Sequence, residues 1–403
     1  MIKGIKEKEF GSQNFLCLMM IPAAAVGIPQ IRTGEHLALK YGAGTALCSI
    51  FVGNLLVWLI AVGVIAMMEQ MHVDAIENIK RYFGRIGGVL AAFFFLVAFL
   101  NWYALQINTS IELLMSKFSW GNNWGMVLRL GAGLGLLSAL LSVGGLSLLK
   151  RLSFVGLPLF ICYQVYAMAV SNRSVVFEET WGLSFPAVLV TMVLTFPVVI
   201  MLPTLFRYSK SNAHSYLALV LFTLVITFFQ VSSIWVDFSQ MTSLWMIFIV
   251  VIVLKLTCCN LFNIYLASSC WEAMVPKFTA AKEHAIIGLI GTLVYTFVQI
   301  SSPVNFLQAI MGEYLACLGL VLLIAYLMRV MIQHRPRPLE QSISIAAWLF
   351  GCLMGTIHEV RYFPHSISGL LVAITSSFLF FLTVLFIEET VWSIQMKMNR
   401  RRL

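Results

Sequence analysis

IPAAAVGIPQ, Ile21 to Gln30, lies inside the first long apolar run of the chain and carries Pro22, Gly27 and Pro29. A helix in lipid cannot leave backbone N–H and C=O groups unpaired. Proline removes one donor, and its ring clashes with the preceding turn. Two readings of the stretch stand. One is a kinked structural helix, since Pro and Gly are frequent in membrane helices. The other is a broken helix whose freed backbone is surrounded by protein or a water-filled cavity, where such a break survives. A second interruption favours the second reading. Ser184 to Arg207 reads SFPAVLVTMVLTFPVVIMLPTLFR, with Pro197 in its middle. Two interrupted hydrophobic segments at corresponding places in two halves point to the binding site of a transporter.

The rest of the composition agrees with a membrane setting. The 403 residues are 60% hydrophobic and only 11% charged, with a mean hydropathy of +0.91. Soluble domains are roughly 45–50% apolar, so the chain is polytopic. Its net charge of +9 does not point to nucleic acid, because the basic residues lie in short loops, where they set topology. The charged N-terminus, MIKGIKEKEFG, lacks the small-residue exit of a cleavable signal, and the first apolar run reads as a retained helix. The eight cysteines fall almost entirely in apolar runs, with no CxxC pair and no clustered histidine. Neither a disulfide framework nor a zinc site is expected. No phosphate-binding loop, dinucleotide fingerprint or HExxH motif is present. No cofactor, metal or catalytic constellation is expected.

Apolar runs long enough to span a bilayer lie near 12–31, 38–67, 86–115, 125–147, 153–171, 184–206, 214–236, 243–269, 284–301, 305–328, 342–358 and 367–393. Alternate loops are basic. Lys80, Arg81, Arg85, Lys150, Arg151, Arg207, Lys210, Lys277 and Lys282 share a side with the basic termini, against Arg32, Lys40, Lys117, Arg129, Arg173 and Arg361 on the other. The positive-inside rule then places both termini in the cytoplasm of a cell-membrane protein. Between runs two and three, MHVDAIENIKRYFGRIGG (Met71 to Gly88) spaces Val73, Ile76, Ile79 and Phe83 as a helix does. It reads either as a short interfacial helix or as a solvated loop.

Polar residues inside these runs are the candidate site. The third run holds Asn101, Trp102, Gln106, Asn108, Thr109 and Glu112, which at 100° per residue share one sector. Such a sector either glues helices together or forms a binding wall. As a wall, Trp102 offers an indole face to a flat ring, and Gln106, one turn on, offers a donor and an acceptor. A leucine at position 106 is expected to cost binding and not folding. The eighth run contains VLKLTCCNLFNIY, with Lys255, Cys258 and Cys259 on one face and Asn260 and Asn263 beside it. A mid-membrane lysine is costly enough to need a cavity or an acid. It is either functional or paired with Glu112 or Glu313. Glu388 and Glu389 lie near the end of the last run and read as interfacial.

Several short stretches, in order, resemble the nucleobase–cation symporter-1 family of cytosine and hydantoin permeases, part of the amino acid–polyamine–organocation superfamily. VGNLLV (52–57) is similar to the family's second helix, and Phe83, Gly84 and Gly87 to its internal loop. Trp102-x-x-x-Gln106 resembles a ring-stacking Trp and hydrogen-bonding Gln. PTLFRYSK (203–210) resembles a P-D-x-x-R-F stretch, with Thr204 in place of the Asp. Cys258-Cys259-Asn260…Tyr265 resembles T-T-N…Y on helix eight. The resemblance implies an all-α integral membrane fold of twelve transmembrane helices, LeuT-like. Two inverted five-helix repeats, 1–175 and 176–335, are followed by helices 11–12 and a basic cytoplasmic tail over 336–403. Helices 1 and 6 are implied to unwind near Gly27–Gln30 and Thr195–Val199, with helices 1, 3, 6 and 8 lining the site. The family's second stacking aromatic falls at Thr195, with Phe196 next to it. Its sodium ligands on helix eight fall at Lys255, Cys258 and Cys259, and thiols are poor ligands for a hard cation.

The reading is therefore a secondary permease, not an enzyme, for a flat, uncharged, nitrogen-containing ring such as a pyrimidine or purine base. Trp102, Gln106, Gln30, Gly27, Thr195, Phe196, Asn260 and Asn263 are its candidate substrate residues. Lys255, Cys258 and Cys259 are the candidate coupling site, with Lys255 replacing sodium. Loss of the lysine's proton would loosen that tie and couple transport to protons. The partners are a small molecule and the bilayer. Two alternatives are an amino-acid permease of the same superfamily and a germinant-receptor or sensor subunit with this fold.

Overall fold

A computed structural model describes residues 13–69, 73–118, 124–171, 181–236, 245–275, 280–301, 304–332, 338–362 and 367–400. Of the expected loops at 116–124, 172–183, 237–242 and 270–283, residues 119–123, 172–180, 237–242 and 276–279 fall outside them, as do the side chains of Glu313, Glu388 and Glu389. Each of the apolar runs lies on helix. In chain order these are α1 (Phe15–Ala24), α2 (Ile28–Ile31), α3 (Thr33–Tyr41), α4 (Ala43–Glu69), α5 (Ala75–Phe118), α6 (Trp124–Leu141) and α7 (Gly145–Val170). Then follow α8 (Phe185–Phe206), α9 (Asn212–Ser232), α10 (Trp245–Met274), α11 (Ala280–Ser301), α12 (Val304–Ile332), α13 (Pro338–Tyr362) and α14 (Ile367–Arg400).

By length and apolarity, 7 helices among the described residues qualify as spans, or 8 when α1 is taken with the α2–α3 segment. One qualifying stretch, Trp124–Val170, contains both α6 and α7, which meet through a 3₁₀ turn at Ser142–Gly144. Glu283–Val298 and Tyr314–Met328 are shorter apolar helices. The molecule is an all-α multi-pass membrane protein.

The first span is broken, with its two halves set 90° apart. Pro22 lies inside α1, and the helix closes through Ala25 N–H to Ile21 O and Val26 N–H to Ala23 O. Pro29 stands in the first turn of α2, where its missing N–H costs nothing. Gly27 is extended, so its need for glycine comes from crowding. A Cβ there would stand 2.0 Å from Gln106 Nε2.

α8 departs from the expected unwinding at Thr195–Val199: it is continuous helix from Phe185 to Phe206 through Pro197 and Pro203. Thr195 Oγ donates to Thr191 O at 3.2 Å, one turn back. Phe196 points toward α12, where a Cβ on Gly319 would stand 2.3 Å from its ring. Proline withdrew one donor from this helix without opening it.

The stretch between runs two and three is helical from Ala75. Ile76, Ile79 and Phe83 are fully buried, so this amphipathic face packs on protein. Phe83 meets Trp348 edge-on, with ring centroids 6.0 Å apart. Gly84 then turns the chain into the span, with φ 67°, a conformation that L side chains rarely adopt. α10 lies centrally, packed on α5, α7, α11, α6 and α1. Small residues let α6 and α11 approach closely: Gly288 faces Ala139, and Gly131 faces the Tyr295 ring.

Candidate substrate and coupling site at the helix break

A broken span exposes N–H groups at the start of its second half and carbonyls at the end of its first. Side chains meet both sets here, from two directions. On one side, Gly27 N–H donates to Gln30 Oε1 at 2.5 Å, and Ile28 N–H donates to Gln106 Oε1 at 3.1 Å. Gln30 Nε2 reaches across to donate to Leu194 O of α8 at 3.0 Å. That carbonyl lies three residues before Pro197, next to Val193 O, whose helical donor the proline removes. One glutamine thus serves both the broken first span and the continuous α8.

On the other side, Lys255 Nζ donates to Ala24 O at 3.0 Å, and Cys259 Sγ lies 3.7 Å from Val26 O. The ammonium sits over two rings, 4.5 Å from the Phe160 centroid and 5.0 Å from that of Phe229. Lys255 is only 2% exposed. Glu112, one expected partner, is exposed and accepts from Asn108 Nδ2 at 2.6 Å. Among the described residues no carboxylate pairs with Lys255. Glu313, the other expected partner, has its side chain outside them. Cys258 faces elsewhere, against Gly156 of α7, where an added methyl would stand 3.4 Å from the sulfur. Thus only one of the two thiols reaches the break.

On the glutamine side the break lines a narrow cavity of about 10 Å³. Its walls are Ala25 and Gln30 from the first span, Phe99, Trp102 and Gln106 from α5, Leu194, Pro197 and Val198 from α8, and Phe262 and Asn263 from α10. Four of the sequence-expected residues, Trp102, Gln106, Gln30 and Asn263, are therefore brought together, with Gly27 directly behind the two glutamines. Thr195 and Phe196 are not in the wall. Asn260 is fully buried outside it, and both its amide atoms lack a hydrogen-bond partner. Sequence reasoning missed Phe99 and Phe262. Phe99 is legible in retrospect, because it stands one turn before Trp102 and two before Gln106. Every wall residue is uncharged. A cavity of this size holds about one water, so the conformation is closed around the site.

Toward the end of α8 a wider cavity of about 450 Å³ is lined by Asp74, Lys80, Arg207, Tyr208 and Glu272, among others. Arg207 donates to Asp74 Oδ2 at 3.4 Å and to Tyr208 Oη at 3.0 Å. Thr204, which stands where the resembled family has an acid, accepts from Ala75 N–H at 3.5 Å, and its carbonyl accepts from Tyr265 Oη at 3.5 Å. Among the described residues no group of His, Cys, Asp and Glu could hold a metal ion.

These features define a polytopic helical membrane protein whose first span breaks over a small neutral cavity. No family model and no curated protein matches the sequence significantly. Solved structures match the fold. One is Mhp1, described as a nucleobase-cation-symport-1 family transporter in a closed conformation with bromovinylhydantoin bound. It shares 13% identity over 93% of this chain and 92% of its own, with a TM-score of 0.67. The inward-facing conformation of Mhp1 matches with a TM-score of 0.65, 13% identity and coverage of 94% and 93%. A Na+-coupled sialic acid symporter in a substrate-bound outward-open state matches at 0.67, with 10% identity and coverage of 92% and 89%. The chain has the fold of these symporters. At such identity the likeness is one of fold, and it agrees with the fold implied by the sequence resemblance.

Proposed function

We propose that the chain is a secondary permease of the cell membrane. Its substrate is a flat, uncharged, nitrogen-containing ring of the pyrimidine, purine or hydantoin kind. The observation that carries this reading is the composition of the wall at the break. An indole from Trp102 stands with three amides, Gln30, Gln106 and Asn263, and no charged side chain. A zwitterionic amino acid would set its carboxylate on the Gly27 and Ile28 N–H groups, which the glutamines hold, and its ammonium on a freed carbonyl, of which Ala24 O is taken by Lys255. A flat ring with amide-like edges needs a face to stack on and donors and acceptors in its plane. Trp102 stacks on the ring. Gln30, Gln106 and Asn263 read its edge once the glutamines release the backbone of Gly27 and Ile28.

In this reading both termini are cytoplasmic. The inverted repeats are residues 1–175 and 176–335, with 336–403 appended. Transport is independent of sodium, and the coupling ion is a proton or none.

The test is uptake by proteoliposomes of a labelled panel of nucleobases, hydantoins and amino acids, with sodium and proton gradients imposed separately. Uptake of a neutral ring that competes with other rings and not with amino acids is expected. Trp102→Ala should then weaken binding of that ring by about 1–3 kcal/mol, the range for base–aromatic stacking. Wild-type affinity in Trp102→Ala places the ring elsewhere. Binding without accumulation makes the chain a receptor with this fold.

A further inference from the structure

Symporters of discontinuous-helix design use the unwound carbonyls to hold a coupling cation. The fold therefore implies such a cation here, and the residues at the break do not fit one. A hard cation wants several oxygens around it. At this break Ala24 O already accepts from an ammonium at 3.0 Å. The neighbour of Val26 O is a thiol, 3.7 Å away. The adjoining space, about 40 Å³, is walled largely by hydrocarbon: Ile28, Ile31, Phe160, Phe229, Val251 and Ile252.

We infer that Lys255 is itself the cation of this site, carried on α10 and fixed to the broken first span, so that no dissociable ion ties the two together. Three features support the assignment. The ammonium is bonded to a carbonyl that the break itself sets free. It also lies over the faces of Phe160 and Phe229, which attract a cation without offering it a lone pair. No described carboxylate competes for it. A bound ion leaves the break when it dissociates, whereas a lysine swings away and returns on its own stem. The site is thus built to re-form without an ion gradient, which deepens the transport reading by removing sodium from it.

The experiment uses the full chain and no substrate, so its outcome is independent of whether the transport reading holds. The purified protein is compared in sodium chloride and choline chloride by thermal midpoint and by amide hydrogen exchange over residues 21–31. Equal midpoints and equal exchange in the two salts are expected for the wild type. In Lys255→Met, which keeps the bulk and removes the charge, exchange at Ile28 to Ile31 should be about tenfold faster in both salts, the loss of one charge-assisted hydrogen bond. Slower exchange or a higher midpoint of the wild type in sodium overturns the inference, and so does wild-type exchange in Lys255→Met. Should Lys255→Met fail to fold, the comparison of salts on the wild type decides alone.

Discussion

Replacing Gln106 by leucine separates a binding residue from one that also holds the fold together. The sequence suggests that leucine is harmless to folding at a buried position in an apolar helix. The structure says otherwise, because Gln106 Oε1 accepts the Ile28 N–H at 3.1 Å and Ile28 is only 5% exposed. Leucine leaves that N–H buried without a partner. An orphaned buried donor costs about 1–3 kcal/mol, which at about 2 °C per kcal/mol for a large chain lowers the thermal midpoint by about 2–6 °C. The control is Asn108→Leu, two residues further along the same helix. Asn108 is half-buried and bonds to the exposed Glu112, so its loss should stay within about 0.5 kcal/mol. The assay is the midpoint of each purified variant, with hydrogen exchange at Gly27 and Ile28 as the local readout. A wild-type midpoint and unchanged exchange in Gln106→Leu, or an equal loss in Asn108→Leu, refutes the capping role.

Phe262→Ala should weaken binding of any ring that the uptake panel identifies, because Phe262 lines the cavity. Phe196→Ala should cost stability alone, about 3–5 kcal/mol for a buried phenylalanine; ligand titrations of both variants check the pair. For topology, single cysteines in a background without the native eight should react with an impermeant thiol reagent at position 175 and not at 210 in sealed, right-side-out cells. The reverse pattern overturns the proposed orientation.

Much of the site was legible before any coordinates. Trp102, Gln106 and Asn263 announce themselves as polar or amphipathic groups at helical spacing inside apolar runs, and such groups are expensive in lipid unless they face something. Lys255 is legible for the same reason, and its meeting with the break follows from the rule that freed carbonyls need donors. Apart from Phe99, which shares the face of Trp102 and Gln106, the apolar half of the wall was not legible. Leu194, Val198 and Phe262 are apolar residues in apolar helices, and composition does not distinguish a cavity wall from a lipid face. The direction of Cys258 was hidden for a related reason. Cys258 and Cys259 differ by 100° around α10, and only contacts with α7 and the first span decide which of them meets the break. The amphipathic stretch after run two gave its helix through the spacing of Ile76, Ile79 and Phe83. What it packs on, Trp348 from the far end of the chain, is a long-range partner that no local pattern contains.

The difference between the two interrupted helices has a local cause that the prolines alone conceal. In the first span Gly27 lies between Pro22 and Pro29, and the extended Gly27 leaves Gly27 and Ile28 N–H without helical acceptors. Gln30 and Gln106 supply acceptors, Lys255 takes the Ala24 carbonyl, and the gap stays open because both its faces are satisfied. In α8 no glycine accompanies Pro197. A proline in mid-helix removes a single donor, and the neighbouring Thr195 hydroxyl bonds back to its own helix at Thr191 O, which keeps that turn closed. The disturbed turn still offers Leu194 O, and Gln30 takes it. A break therefore needs external partners for donors and acceptors at once, whereas a continuous helix that holds a proline loses a single donor. Residues 21–30 bring their own glutamine and meet a second glutamine and a lysine. Residues 194–199 contribute only a carbonyl, and the shared Gln30 makes this turn of α8 part of the same site as the break in the first span.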